Sequence, residues 1–383
     1  MKKLPLHSEH EKLKAQWGPF ADYLMPLQYA QGAKQESLLT RQSCGLFDVS
    51  HMGEFLVTGE EAIAFCDWLV AQDFLNIPVN KAQYALLCEE EGGVLDDLIL
   101  YKLSSTQVLI CVNASNREKD WNFITSQHKK GPYQKNLLQD VSSSYGLLAL
   151  QGPSWKTVLS RAFSPLGLTI PSLDKLDKFE CTSFSPAVVS AYPFVIARTG
   201  YTGEDGVEIF CPLDSKDSTE FFENLWKNLS LSPEVAPCGL AARDVLRIEA
   251  GLPLYGNELL EEISPFDAGL SWAMKKVSPE FLQESSERSF IGQKSLLERK
   301  KIPKWKTIKF SLESGIPRKD YEITNEKGEK VGVVTSGTFS PLLEKGIGIG
   351  RILVTEFNKG RFFVHLRHKL VPITPVTRFL NKN

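Results

Sequence analysis

Asp96-Asp97 directly follows the turn Gly92-Gly93-Val94-Leu95 and opens a run of strand-forming residues. Side chains alternate along a strand, so the two carboxylates point to opposite faces and only one can line a given cavity. Asp97 shares its face with Ile99 and Tyr101, and Asp96 shares its face with Leu98 and Leu100. A carboxylate on an apolar face is costly unless it binds something, although Asp is also common at turn-to-strand junctions. Glu208, between Val207 and Ile209, is likewise a strand residue and shares a face with Phe210. Buried, it could accept two parallel N–H bonds from a guanidine-like edge such as an aminopyrimidine; facing solvent, it would be an ordinary strand residue. Arg243 and Arg247 lie four apart on one helical stripe, with Asp244 and Glu249 nearby. They could clamp a ligand carboxylate or form surface ion pairs, and the spacing alone does not choose.

Other patterns carry less. Asp48-Val49-Ser50-His51 places three hydrolase-type side chains together, but a triad is defined in space and no G-x-S-x-G elbow occurs. Gly346-Ile347-Gly348-Ile349-Gly350 lacks the G-x-G-x-x-G spacing and a following helix, so it reads as a tight β turn rather than a phosphate loop. No H-x-x-x-H pair or Cys/His cluster is present, so no metal site is expected. The seven cysteines (Cys44, Cys66, Cys88, Cys111, Cys181, Cys211, Cys238) form no C-x-x-C pair. Most sit singly among apolar residues, the pattern of buried thiols in a reducing compartment. Lys294–Lys309 carries seven Lys or Arg against one acid, Glu298. Such a run is a solvated face or a docking surface for an acidic partner.

Positioning these groups takes strands and helices without a regular βαβ rhythm, which predicts an α+β fold. Thr58-Gly59-Glu60-Glu61 matches a capping box, and Ile63, Cys66, Leu69 and Val70 recur at helical spacing, predicting a helix over 59–71. Gln83–Cys88 and Leu98–Leu103 read as a hairpin around Glu89–Gly93, with Val108–Val112 as a third strand. Val195–Ala197 and Val207–Cys211 bracket Gly200, Gly203 and Asp205-Gly206, a second hairpin. Cys238–Ala250 is helical, with Gly251 as its stop. A polar, Lys-rich stretch over 276–309 marks a boundary between a core of two interleaved α+β subdomains (1–275) and a C-terminal region (276–383). There, short runs at Ile308–Leu312, Lys330–Val334, Gly348–Val354 and Arg361–Leu366 predict a small all-β, barrel-like domain.

Composition sets the limits. The 383 residues are 42% hydrophobic, 10% aromatic and 23% charged, with 27 Gly and 21 Pro, an ordinary globular profile that argues against disordered, collagen-like and coiled-coil classes. Lys plus Arg (44) against Asp plus Glu (46) leaves a formal charge of −2, without the basic excess of a nucleic-acid binder. A membrane span would need about 18 consecutive apolar residues, and none occurs. The N-terminus meets Pro5 and charged residues before any apolar stretch, so no signal peptide is expected and a cytoplasmic location is.

Read together, nine strings resemble the aminomethyltransferase (T-protein) family of the glycine cleavage system. They are Met25-Pro26-Leu27; Gly45–Glu54; Gly92–Ile99; Asn113-Ala114-Ser115-Asn116 with Glu118-Lys119-Asp120; Gln151-Gly152-Pro153; Arg198–Glu208; Gly239–Asp244; Leu254–Glu258; and Thr335–Pro341, in family order along the chain. The resemblance implies a three-domain cloverleaf around a central tetrahydrofolate pocket. It implies transfer of the methylene of an aminomethyl group, carried on the dihydrolipoyl arm of the H-protein, to tetrahydrofolate as co-substrate. Ammonia and 5,10-methylenetetrahydrofolate are the products. In that reading Asp97 matches the catalytic carboxylate near the folate N5 and N10, with Asp96 as the fallback. There it would orient the folate amine, relay its proton and stabilise an iminium-like cation. Glu208 would grip the pterin NH and NH₂ edge, and Arg243 would face the folate's anionic end or hold the site. Tyr84, Tyr201, Met52 and Asn113 match positions lining the pocket, and the basic segment after 294 fits docking of an acidic lipoyl carrier.

Two departures stand out: Asp22-Tyr23-Leu24 replaces an Ala-Gly-Trp often found before Met-Pro-Leu, and Leu252 stands where some relatives have Tyr. Two other folate-binding classes share the resemblance. A demethylating module would bring a flavin-binding region, and none is visible. An iron–sulfur cluster assembly accessory protein would bring a Lys-Gly-Cys-Tyr-x-Gly-Gln-Glu signature, whereas Glu262–Trp272 has no cysteine.

Overall fold

Alternating apolar residues punctuated by Gly, Pro and Asp build the strands that carry both candidate carboxylates. The computed structural model describes residues 1–168, 173–184, 186–284, 289–366 and 369–380. The chain divides into two compact units, Met1–Cys66 with Leu75–Gln83 and Leu98–Asp244, and Asp67–Phe74 with Tyr84–Asp97 and Val245–Asn383. The helix Leu240–Ala250 and the strand Val94–Lys102 each pass from one unit into the other.

The first unit contains a six-stranded sheet in the order Cys181–Phe184, Phe194–Ala197, Gly206–Pro212, Tyr145–Gln151, Cys44–Asp48, Val235–Pro237. Helices Trp155–Phe163 and Lys216–Ser230 bury Trp155, Phe163, Phe222 and Trp226 in one cluster with Leu148 and Ile209 of this sheet. Ser215 caps the second of these helices by accepting the Ser218 N–H at 3.1 Å. A five-stranded sheet runs Lys81–Cys88, Val94–Lys102, Gln107–Val112, Gly53–Thr58, Leu137–Asp140. Both predicted hairpins and the third strand are therefore present, and Gly206–Pro212 is buried along its whole length. All seven thiols are buried and unbridged.

The second unit ends in a closed six-stranded barrel, ordered Trp305–Leu312, Lys345–Leu353, Lys330–Ser340, Glu322–Asn325, Phe362–Leu366, Lys369–Val376. Phe310, Ile323, Val334 and Val364 fill its core. Mixed sheets and helices with this terminal barrel make the chain α+β, as the sequence patterning predicts. Among the described residues, no helix is long and apolar enough to cross a membrane.

Two local expectations fail for physical reasons. Gly346–Gly350 is not a turn but the middle of a barrel strand; a Cβ on Gly348 would stand 2.6 Å from the Phe310 ring, so the missing side chains make room for that ring. The capping box at Thr58 does not form. Thr58 stays in its strand, the helix begins at Ala62, and one carboxylate oxygen of Glu61 is buried without a hydrogen bond. Lys276, the first residue of the polar, Lys-rich boundary stretch, is fully buried. Its Nζ pairs with Asp67 at 2.8 Å and donates to the Asp67 and Val70 carbonyls, which satisfies the buried charge.

The turn ahead of Asp97 needs both its glycines. Gly92 has a φ of +81°, and a Cβ on Gly93 would fall 1.6 Å from the Glu261 carbonyl oxygen. That close approach lets Val94 N–H donate to the Ile263 carbonyl at 3.3 Å. Gly93→Ala is expected to lower unfolding free energy by about 2–3 kcal/mol through forced displacement of backbone, read from urea denaturation. A loss within experimental scatter would contradict the close approach.

Candidate functional site

In the first unit, Glu208 sits on a strand whose neighbours are all buried, and it is itself buried. Its Oε2 accepts the Thr199 hydroxyl at 2.5 Å and the Tyr101 hydroxyl at 3.3 Å. Among the described residues, Oε1 makes no hydrogen bond, so one carboxylate oxygen is fixed and the other remains open to an N–H donor. Burial, reinforced by the Glu208 charge, pushes the Tyr101 hydroxyl well above its ordinary pKa, so Tyr101 remains a donor. The Arg243 guanidinium lies 5.0 Å from the centre of the Tyr201 ring. Burial pulls Arg243 below its usual range, and the nearby Glu208 charge opposes that pull. Glu208, Arg243 and Tyr201 thus form one cluster.

The loop that presents these groups is braced from several sides. Gln151 donates its amide N–H to the Thr199 and Val207 carbonyls at 3.1 and 3.2 Å, and its Oε1 accepts Thr202 at 2.9 Å. Gly200 and Gly206 permit this, since a Cβ on either would collide with Gln151 or the Leu150 carbonyl. Arg198 forks onto Asp205 at 2.9 and 2.8 Å. Burial raises the Asp205 carboxyl, but the guanidinium outweighs it and holds the group below its usual range.

Met52 and Asn113 lie just beyond the paired residues Gly53 and Val112, at one end of the ladder, and both are half-buried. One residue further in, Cys111 faces Glu54 across the strands and lies close enough to Arg243 and Tyr101 for their charges to interact.

Asp48, Ser50 and His51 do not form a triad. Asp48 Oδ2 bonds His10 at 2.9 Å, while Oδ1 accepts the Ser50 hydroxyl at 2.6 Å, and Tyr29 completes the chain by bonding His10 at 2.8 Å. The histidine comes from the N-terminal helix His7–Lys12, and the Ser50 proton points at a carboxylate rather than at an imidazole. This arrangement is a structural staple, and no sequence signal pairs His10 with Asp48. His51 itself is buried between Phe20 and Tyr23, and its Nδ1 has no hydrogen bond among the described residues.

In the second unit, Asp96 is fully buried and Asp97 half-buried, as strand alternation requires. Asp97 Oδ2 accepts the Tyr84 hydroxyl at 3.0 Å, and the Tyr84 ring stacks on Trp272 at 5.4 Å and 26°. Of the sequence candidates, Tyr84 and Asp97 therefore meet here. Trp272, Tyr101 and Thr199 were not among those candidates. Tyr101 could have been found from its place on the Asp97 face of the strand, and Thr199 from its loop string. Trp272 has no periodicity to flag it. Arg247 does not join Arg243 as a ligand clamp or a surface pair. It is buried, ion-paired with Glu258 at 3.0 Å and donating to Ser336 at 2.7 Å. Among the described residues, no group of three or more His, Cys, Asp or Glu could hold a metal ion.

Residues 6–278 match the family model described as the GCVT N-terminal domain, and residues 306–381 match that of the glycine cleavage T-protein C-terminal barrel domain. An aminomethyltransferase of Thermus thermophilus is 41% identical over 372 residues, 97% of each chain. One from Staphylococcus carnosus is 38% identical over 375 residues, 97% of this chain and 96% of its own. The crystal structure of glycine cleavage system aminomethyltransferase T from Bartonella henselae superposes with a TM-score of 0.86 at 31% identity, covering 99% of this chain and 98% of that one. The chain belongs to the glycine cleavage T-protein family. These relatives lend no support to the cluster-assembly or demethylating readings.

Burial, with Arg243 adding to it, lowers His51 from 6.5 to about 3 against the opposing Asp48 charge. Between those values the unfolded chain binds a proton that the folded chain refuses, so stability falls as pH drops through the window. His51→Gln should flatten the dependence by about one proton, ~1.4 kcal/mol per pH unit, in urea unfolding at a series of pH values. An unchanged slope would contradict a buried neutral ring.

Proposed function

We propose that the chain works as the aminomethyltransferase of a glycine cleavage system. It moves the methylene of an aminomethyl group from the dihydrolipoyl arm of an H-protein to tetrahydrofolate, releasing ammonia and forming 5,10-methylenetetrahydrofolate. Family membership along nearly the whole chain supports the activity. The observation that carries the folate reading is Glu208: a buried carboxylate with one oxygen held by two hydroxyls and the other open to a donor edge. Such a group suits the paired N–H donors of a reduced pterin, because two charge-assisted bonds offset the desolvation of both partners. Arg243 complements the anionic end of the folate or holds the cluster, and Tyr201, Met52 and Asn113 line the ring-binding surface.

Asp97 takes the catalytic role. The transfer breaks the C–S bond to the dihydrolipoyl arm and the C–N bond to the departing ammonia, forms two C–N bonds to the folate and returns the thiol on the carrier. Positive charge therefore builds on the carbon–nitrogen unit while amine protons must be moved. A carboxylate held by Tyr84 stabilises that charge without having to reorganise, and can accept and return the proton. Tetrahydrofolate is consumed as co-substrate, and the lipoyl group arrives on the partner. The exposed lysines of the helix Gln293–Lys301 suit an acidic lipoyl carrier, and the cytoplasm suits buried free thiols.

The direct test is purified chain with aminomethylated H-protein and tetrahydrofolate, following ammonia and methylenetetrahydrofolate. Asp97→Asn keeps the size and removes the charge, and turnover should fall about 10²-fold or more; near-normal turnover would remove Asp97 from the chemistry. Glu208→Ala should weaken tetrahydrofolate binding by about 1–3 kcal/mol, the cost of stranding polar groups. Equal affinity in equilibrium titration would reject the pterin role.

A further inference from the structure

The C-terminal barrel has a cavity of about 460 Å³ at one of its mouths, and none of the roles above uses it. That size falls within the range of small-molecule clefts, and barrel mouths are a common place for them. Leu312 pairs with Ile373, Ile323 with Val364, and Leu366 with Lys369. These registers bring together the end of the strand Trp305–Leu312, the start of Glu322–Asn325 and the adjoining ends of the last two strands. Residues 314–321 span the first two of these ends. Ile316, Tyr321, Leu366 and Val371 give the cavity an apolar floor, and Tyr321 and Leu366 pack on the filled barrel core. The cavity is thus a cup above a packed core, not a channel.

The loop that forms its wall is held by the backbone. Gly315 has a φ of +79°, and a Cβ there would stand 2.5 Å from Leu366 Cδ1. A Cβ on Gly337 would fall 2.3 Å from the Pro317 carbonyl oxygen, and one on Gly346 2.1 Å from that of Gly315. Asp320 takes a φ of +70°, a left-handed conformation that is costly outside glycine. Its N–H donates to the Val334 carbonyl at 2.9 Å, and Val334 N–H donates back to Tyr321 at 2.8 Å. The cup is therefore preformed, and a ligand entering it has little loop ordering to offset.

Its charge has one sign. Arg318 and Lys369 line the cup, and no acid does. Among the described residues, neither cation has an ion pair or a side-chain hydrogen bond, and the Tyr321 hydroxyl has no partner. The neighbouring Lys319 differs, since its Nζ donates to the Gly256 carbonyl and Asn257 Oδ1 at 2.7 and 2.8 Å. One exposed arginine or lysine is an ordinary solvated group. Two of them on the wall of one preformed apolar cup complement an amphipathic anion.

We propose that this cup binds a small organic anion, an apolar or aromatic body with an acidic head group. Arg318 and Lys369 hold the head, and Ile316, Tyr321 and Leu366 receive the body. The site does not depend on the folate reading.

Anilinonaphthalene sulfonate combines both halves of that chemistry, and phenylnaphthylamine is the same body without the head. The test is fluorescence titration of each probe onto the full chain at low and physiological salt. The sulfonate should bind, and more weakly as salt rises. Arg318→Gln and Lys369→Gln should each weaken it about three- to tenfold, between an exposed and a partly buried ion pair, and leave the neutral probe unchanged. Ile316→Asn should weaken both probes. Both charged side chains are exposed, so neither glutamine variant disturbs the barrel core. No sulfonate binding, or equal affinity in the parent and both glutamine variants, would overturn the site. Equal losses of both probes in the glutamine variants would overturn the anion-binding role.

Discussion

A carboxylate inside a fully buried strand must be given partners, and the way Glu208 is given them organises the first unit. Two hydroxyls, from Thr199 and Tyr101, hold one oxygen, and the Arg243 charge lies nearby. Supplying only part of the carboxylate's hydrogen-bonding capacity from within leaves a buried acceptor that a ligand can complete. The surrounding braces serve that end. Gln151 and the Arg198–Asp205 fork fix the loop carrying Thr199, so the first partner of Glu208 stays in place.

In the second unit Asp97 is held by the Tyr84 hydroxyl. Tyr84 fixes one oxygen, and Trp272 fixes Tyr84. One of the links between strings that resemble the T-protein family is structural. Glu36 accepts the Tyr29 and Gly239 N–H groups at 2.6 and 2.9 Å, and Gly239 has no side chain because a Cβ would stand 2.2 Å from the Leu27 carbonyl. Gly239 is thus packed against Leu27 of the Met25-Pro26-Leu27 string and tied through one buried carboxylate to Tyr29, two residues beyond it.

What could be read from the chain is what depends on local periodicity. Strand alternation separated Asp96 from Asp97, turn glycines marked both hairpins, and helical spacing placed Leu240–Ala250 with its glycine stop. What could not be read depends on distant partners. His10 meets Asp48 across 38 residues, Lys276 meets Asp67 across 209, and neither leaves a local trace. Gly346–Gly350 looks like a turn because glycine usually signals one, yet here the glycines make room for Phe310 and the adjacent backbone inside a barrel. The pairing of Arg243 with Arg247 fails for a related reason: one helix runs through two units, so side chains one turn apart enter different surroundings.

All of this turns on whether the open oxygen of Glu208 is completed by the donor edge of a reduced pterin. A crystal structure of the chain with tetrahydrofolate bound would show that contact or its absence. The pterin ring N–H and amino group are expected within hydrogen-bonding distance of the Glu208 carboxylate, with Thr199 and Tyr101 still on Oε2. A pterin seated elsewhere, with water or protein groups filling its place at Glu208, would contradict the assignment.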